Sequence, residues 1–261
     1  MQEEHILICE DSDEGILSAI YSAYEWKLDH EHTIIQIGEE ENLRLFASYN
    51  KVTTEPIKAQ KVLRTVRKRF GENAYRVVCG ALASVDAKRG QAVYQMIVFG
   101  LKGKYRGDLT DCIYHDGVAK AVALSMTVWH EVHRFYEFLR FEELEGGLLF
   151  AQIHPKCRIL PFLSDHFSNR FPLENFVIYD AVYDNCLIHV VNGEIAIVSG
   201  ELIRLEKMTK LSEKEKQMQE LFGYFCHKIS IKERENRKLQ QQMLPLRFRD
   251  DMIEFGSGKL R

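Results

Sequence analysis

The apolar periodicity of this chain changes character at Gly146-Gly147, and that change limits the fold more than any other feature. Before the two glycines, apolar residues recur mostly at helical spacing. Ile16, Leu17, Ile20, Tyr21 and Tyr24 mark one helix, led by a turn at Asp11-Ser12-Asp13 that supplies an N-cap. Ala59, Leu63, Val66 and Phe70 mark a second, which Gly71 ends; Tyr75, Val78, Cys79 and Leu82 mark a third. Residues 92–101 predict another helix, and a long one follows over residues 117–141, with Val118, Val122, Ser125, Val128, Val132, Phe135 and Leu139 on its seam. Two short strands, residues 5–9 and 33–37, precede most of these helices. After the glycines the segments shorten and alternate. Strands are expected over 148–153, 176–181, 186–191 and 194–198, with a short helix over 159–171 entered through Pro161. Asn192-Gly193 reads as a two-residue hairpin turn. Ser212 caps a charged helix reaching residue 229. The class is α+β: a helical N-terminal half with a small leading sheet, then an antiparallel sheet with flanking helices and a basic C-terminal segment. The boundary falls near residue 145, giving 1–145 and 146–261, unless the two form one continuous domain.

Charge is distributed unevenly. The net charge of the 261 residues is -3, yet residues 1–60 carry 4 Lys/Arg against 13 Asp/Glu, and residues 61–107 carry 11 against 2. Residues 108–200 are acidic again, and residues 201–261 are basic. Two basic blocks separated by acidic ones build one positive face if the fold unites them; the alternative is mutual neutralisation. The six cysteines are scattered and form no C-x-x-C pair, as expected of reduced thiols in the cytoplasm. No apolar run is long enough to span a bilayer, and the acidic start lacks the features of a signal peptide.

Motifs for catalysis are sparse. There is no G-x-S-x-G, no P-loop and no G-x-G-x-x-G. His130 and His133 are three residues apart, not the four of a zinc protease helix, so neither a metal nor a cofactor is expected. The candidates for acid–base chemistry are Glu131, Arg140, Asp165 and His166, on the condition that they converge in space. The binding candidates are stronger. Lys61, Arg64 and Lys68 fall at i, i+3 and i+7 of a helix, a stripe suited to a polyanion. Lys102, Lys104 and Arg106 extend it through a Gly-flanked loop. Between Lys228 and Arg249 lie a basic, Gln-rich run and Met243-Leu244-Pro245-Leu246-Arg247-Phe248. Arg234, Asn236 and Arg247 are expected to shape a second contact there, with Phe248 open for base stacking.

An ordered set of segments resembles a bacterial family of unknown activity assigned to DNA metabolism. It comprises Gly15-Ile16-Leu17-Ser18-Ala19-Ile20-Tyr21, Glu131-Val132-His133-Arg134, Leu149-Phe150-Ala151-Gln152-Ile153-His154-Pro155 and His166-Phe167-Ser168-Asn169-Arg170-Phe171. Ile178-Tyr179-Asp180, Ile231-Lys232-Glu233-Arg234-Glu235-Asn236 and the segment closing at Phe248 complete it. Two positions depart from the family's pattern: Phe248 stands in place of a tyrosine and Arg237 in place of a proline. The resemblance implies a DNA metabolism or repair factor that binds DNA or other nucleic acid. It also implies a separate partner, a radical SAM protein of DNA modification or repair. Similar domains occur fused to a uracil-DNA-glycosylase-like domain. The alternatives are an enzyme acting on a nucleotide or damaged base, and a protein-interaction scaffold.

Overall fold

The computed structural model describes residues 4–38, 44–193, 195–202, 210–229, 236–249 and 252. The chain divides into two compact units, residues 1–130 and 131–261.

In the first unit, β1 (Glu4–Cys9), α1 (Asp13–Glu25) and β2 (Thr33–Ile37) form a βαβ unit, and β3 (Ala47–Lys51) joins the other side of β1. Both pairings are parallel, with His5 opposite Thr33 and Glu4 opposite Ala47. Parallel strands need a crossover, which α1 supplies between β1 and β2. The Ser12 side chain accepts a hydrogen bond from the Gly15 N–H at 2.9 Å, the cap expected at the start of α1. Ile6, Leu7, Ile16, Leu17 and Ile20 are almost fully buried and anchor the core. β3 was not foreseen, because Ala-Ser-Tyr-Asn-Lys has no apolar alternation; an edge strand half in water needs none.

The helix α2 (Pro56–Leu82) is two helices joined at Gly71, whose φ of 88° and ψ of -179° break the helical path. The break matches the stop expected there, and only glycine adopts that backbone at little cost. On the first part, Ala59, Val62 and Val66 are buried, and Leu63 and Phe70 are partly buried. α3 (Arg89–Lys102) ends at Gly103 in the left-handed conformation, and a short 3-10 turn, Leu109–Asp111, leads to α4 (Asp116–Phe138). The side chain of Arg89, 2% exposed, is held by Asp11; no periodicity argument could reveal a buried cation.

The second unit is built on a five-stranded sheet, ordered β4 (Glu142–Glu143), β5 (Leu149–Ile153), β6 (Phe176–Asp180), β7 (Asn185–His189) and β8 (Ile195–Ser199). It is mixed where an antiparallel sheet was expected. β5 and β6 run parallel, because α5 (Leu160–Arg170) forms a crossover between them; the other neighbours are antiparallel. β7 ends at His189 and β8 begins at Ile195, so their link exceeds the two residues expected. The Gly193 N–H closes a turn on the Val190 carbonyl at 2.8 Å, with Asn192 at a φ of 58°. Phe176, Ile178, Leu187, Ile153, Ile159 and Leu163 fill the core. α6 (Glu213–Ile229) is capped by Ser212, whose Oγ accepts from the Glu215 N–H, and α7 (Arg237–Met243) follows. No helix among the described residues is long and apolar enough to cross a membrane.

Candidate nucleic-acid interface

On α2, the residues opposite the buried Ala59, Val62 and Val66 must face water, and Lys61, Arg64 and Lys68 do, with Arg67 and Arg69 beside them. Carboxylates neutralise part of the charge here, Asp11 and Glu31 of the acidic N-terminal block among them. Lys58 pairs with Glu25 and Glu55, Arg67 with Glu72, Arg89 with Asp11 and Lys102 with Glu31. Lys61 lies over the Tyr21 ring at 5.3 Å. Arg64, Lys68, Arg69, Lys104 and Arg106 are exposed and form no ion pair with a described residue. They are not alone: Lys27, Lys61, Arg76 and Lys88 likewise form no ion pair with a described residue, although Lys61 and Arg76 lie over the Tyr21 and Trp129 rings.

Packing sets the end of the first part of α2 beside the end of α3, from which the loop bearing Lys104 and Arg106 leaves. A Cβ atom placed on Gly100 would lie 2.8 Å from the Phe70 ring and 2.9 Å from Leu109, so the first part of α2 ends against the C-terminal end of α3. Asn73 donates to Asp108 at 2.7 Å across the same junction. Arg69 precedes Phe70, and Lys104 and Arg106 follow the Gly103 cap. Phe99, one residue before Gly100, contacts Tyr105, Tyr114 and His115. Burial raises the Tyr105 pKa, an effect reinforced by Cys112 and Asp108, so its phenol stays neutral. Tyr105 was legible as an aromatic between two cations; the cluster around Phe99 was not, because it gathers rings from separate segments.

The second group of expected binding residues has other work. Arg234 lies outside the described residues. Asn236 caps α7 by accepting from the Leu239 N–H at 3.0 Å. Arg247 pairs with Glu131 at 2.7 Å. Phe248 was expected to be open for stacking, and the structure corrects this: the residue is 3% exposed, with its ring edge-on to Phe135 at 5.0 Å and covered by the Arg247 guanidinium at 4.5 Å. A large apolar ring beside a cation looks the same in sequence whether a base or a core receives it.

The four acid–base candidates are engaged in different surroundings. Glu131, 5% exposed, accepts from the backbone N–H groups of Lys156 (3.0 Å) and Cys157 (2.8 Å) as well as from Arg247. Arg140 donates to the carbonyls of Glu137 and Leu139 at the end of α4. Asp165 is exposed. His166 stacks on Tyr136 at 4.0 Å; burial, then Arg170 and His133, lowers its pKa and favours the neutral ring. A buried carboxylate that sequence reasoning missed is Asp180, which accepts from the Val182 and Tyr183 N–H groups and whose pKa is raised by burial. Its signal was the end of a strand followed by a turn. Among the described residues, no group of three His, Cys, Asp or Glu side chains is arranged to hold a metal ion.

A search of curated proteins gives no match. The family model DUF4130, a domain of unknown function, matches residues 87–254, which include the loop bearing Lys104 and Arg106, the Glu131–Arg247 pair and the whole five-stranded sheet. That match spans well over half of the chain, and the protein therefore belongs to the DUF4130 family.

Proposed function

We propose that this protein is a DNA metabolism or repair factor that grips nucleic acid through the first unit, and that a separate radical SAM protein supplies the chemistry. The observation that carries this reading is the set of uncompensated cations, Arg64, Lys68, Arg69, Lys104 and Arg106, on a unit whose other basic side chains largely have partners. Exposed cations without carboxylate neighbours are available to phosphates, and each phosphate neutralised releases counterions. The resemblance to DNA metabolism proteins supports the same class of ligand.

The test is fluorescence anisotropy with labelled oligonucleotides at about 50 mM salt, where phosphate contacts are strong. The unmodified protein should bind, and Arg64→Glu with Lys68→Glu should weaken binding by about tenfold or more, since both substitutions replace attraction by repulsion. Absence of binding by the unmodified protein at that salt would overturn the reading.

A further inference from the structure

At the end of the cationic stripe, Tyr114 is 72% exposed, yet its ring is held. Phe99 meets it edge-on at 6.0 Å and 85°. Phe99 also stacks on His115 at 4.3 Å and lies 5.9 Å from Tyr105. The neighbouring Ile113 is 64% exposed. Single exposed rings are ordinary on protein surfaces. Here the ring is braced by an aromatic cluster and accompanied by Lys104 and Arg106, which flank Tyr105 in the chain. Arg69 is exposed and precedes Phe70, whose ring packs at Gly100, the residue after Phe99. The carboxylates nearby in the chain are Asp108, bonded to Asn73 and Thr110, and Asp111 and Asp116, which are both exposed.

Cations without carboxylate partners recognise phosphates on any nucleic acid. A braced aromatic face adds something a duplex cannot use, because duplex bases are already stacked on one another. An unpaired base has both faces open, and stacking is tolerant of sequence. We propose that this face binds single-stranded polynucleotide, with Arg64, Lys68, Arg69, Lys104 and Arg106 along the phosphates and an unpaired base on Tyr114. The proposal rests on the nucleic-acid reading above and names its substrate class.

The experiment measures anisotropy of the full chain with four labelled probes of about 20 nucleotides, longer than common single-strand site sizes. They are oligothymidylate, oligouridylate, a mixed-sequence duplex, and an abasic strand that keeps the phosphates and lacks the bases. The single strands should bind at least about tenfold more tightly than the duplex and the abasic strand. Tyr114→Ala should weaken oligothymidylate binding about fivefold or more, with no change for the abasic strand, and Tyr114→Phe should restore most of the loss. Because the ring is exposed, the melting temperature of Tyr114→Ala should match that of the unmodified protein. Equal binding of duplex and single strand, or an unchanged affinity in Tyr114→Ala, would overturn the single-strand proposal and leave phosphate binding intact. Failure of all four probes to bind would overturn both.

Discussion

Glu131 illustrates how a charged residue becomes structural. Its carboxylate is 5% exposed and receives two backbone N–H groups and the Arg247 guanidinium. Glu131→Ala would leave both amides without acceptors and Arg247 without a counter-charge, at a cost of about 3–5 kcal/mol. Urea denaturation should show that loss. A cycle with Arg247→Ala should give a coupling of about 1–3 kcal/mol, whereas additive losses would mean the pair acts independently. Asp180 behaves in the opposite sense. Burial raises its folded-state pKa above the ordinary carboxylate value, so its stabilising contribution is full below that value and is lost as pH rises through the raised one. Above the raised pKa the folded protein holds the ionised group at a cost. Asp180→Asn keeps an acceptor for the Val182 and Tyr183 N–H groups, so it should raise the melting temperature at neutral pH. The gain should shrink towards about pH 4. A variant that melts lower than its parent across the whole range would refute this.

At the level of elements, α2 shows how one glycine redirects a helix. Gly71 turns the chain at a φ of 88°, and a Cβ there would meet nothing within 4 Å. The cost of Gly71→Ala is therefore backbone strain alone, about 1–3 kcal/mol. It should appear as a lower urea midpoint with an unchanged m-value, and an unaltered midpoint would show that the kink relaxes freely. The helical faces of α4 and α5 were readable because each buries an apolar stripe and exposes the remainder, whereas α1 and α3 are buried on most sides and showed only as recurring apolar residues. β3 and β4 were hidden, since edge strands of polar residues owe their existence to the neighbour they pair with. The parallel pairing of β5 with β6 was hidden for a related reason. Local periodicity marks α5 as a helix but does not say that it crosses over between adjacent strands.

Over the whole molecule, a net charge of -3 repels a polyanion at long range, so the binding proposed above must come from a local face and must be sensitive to salt. If Arg64, Lys68, Arg69, Lys104 and Arg106 each meet a phosphate on a single strand, log K should fall with log salt at a slope of about -3.5. A slope near zero in an anisotropy titration would mean the cations are not the grip. Read alone, the amino-acid order determined the α+β class, the break at Gly71 and the exposed cations of α2, because each follows from spacing within about twenty residues. Tertiary structure decided which charges remain available. A guanidinium has the same local signature whether it meets phosphate or, as with Arg247, a buried carboxylate 116 residues away. Likewise, whether an aromatic ring is covered, as Phe248 is, or open, as Tyr114 is, depends on segments distant in the chain that close over it or leave it in water.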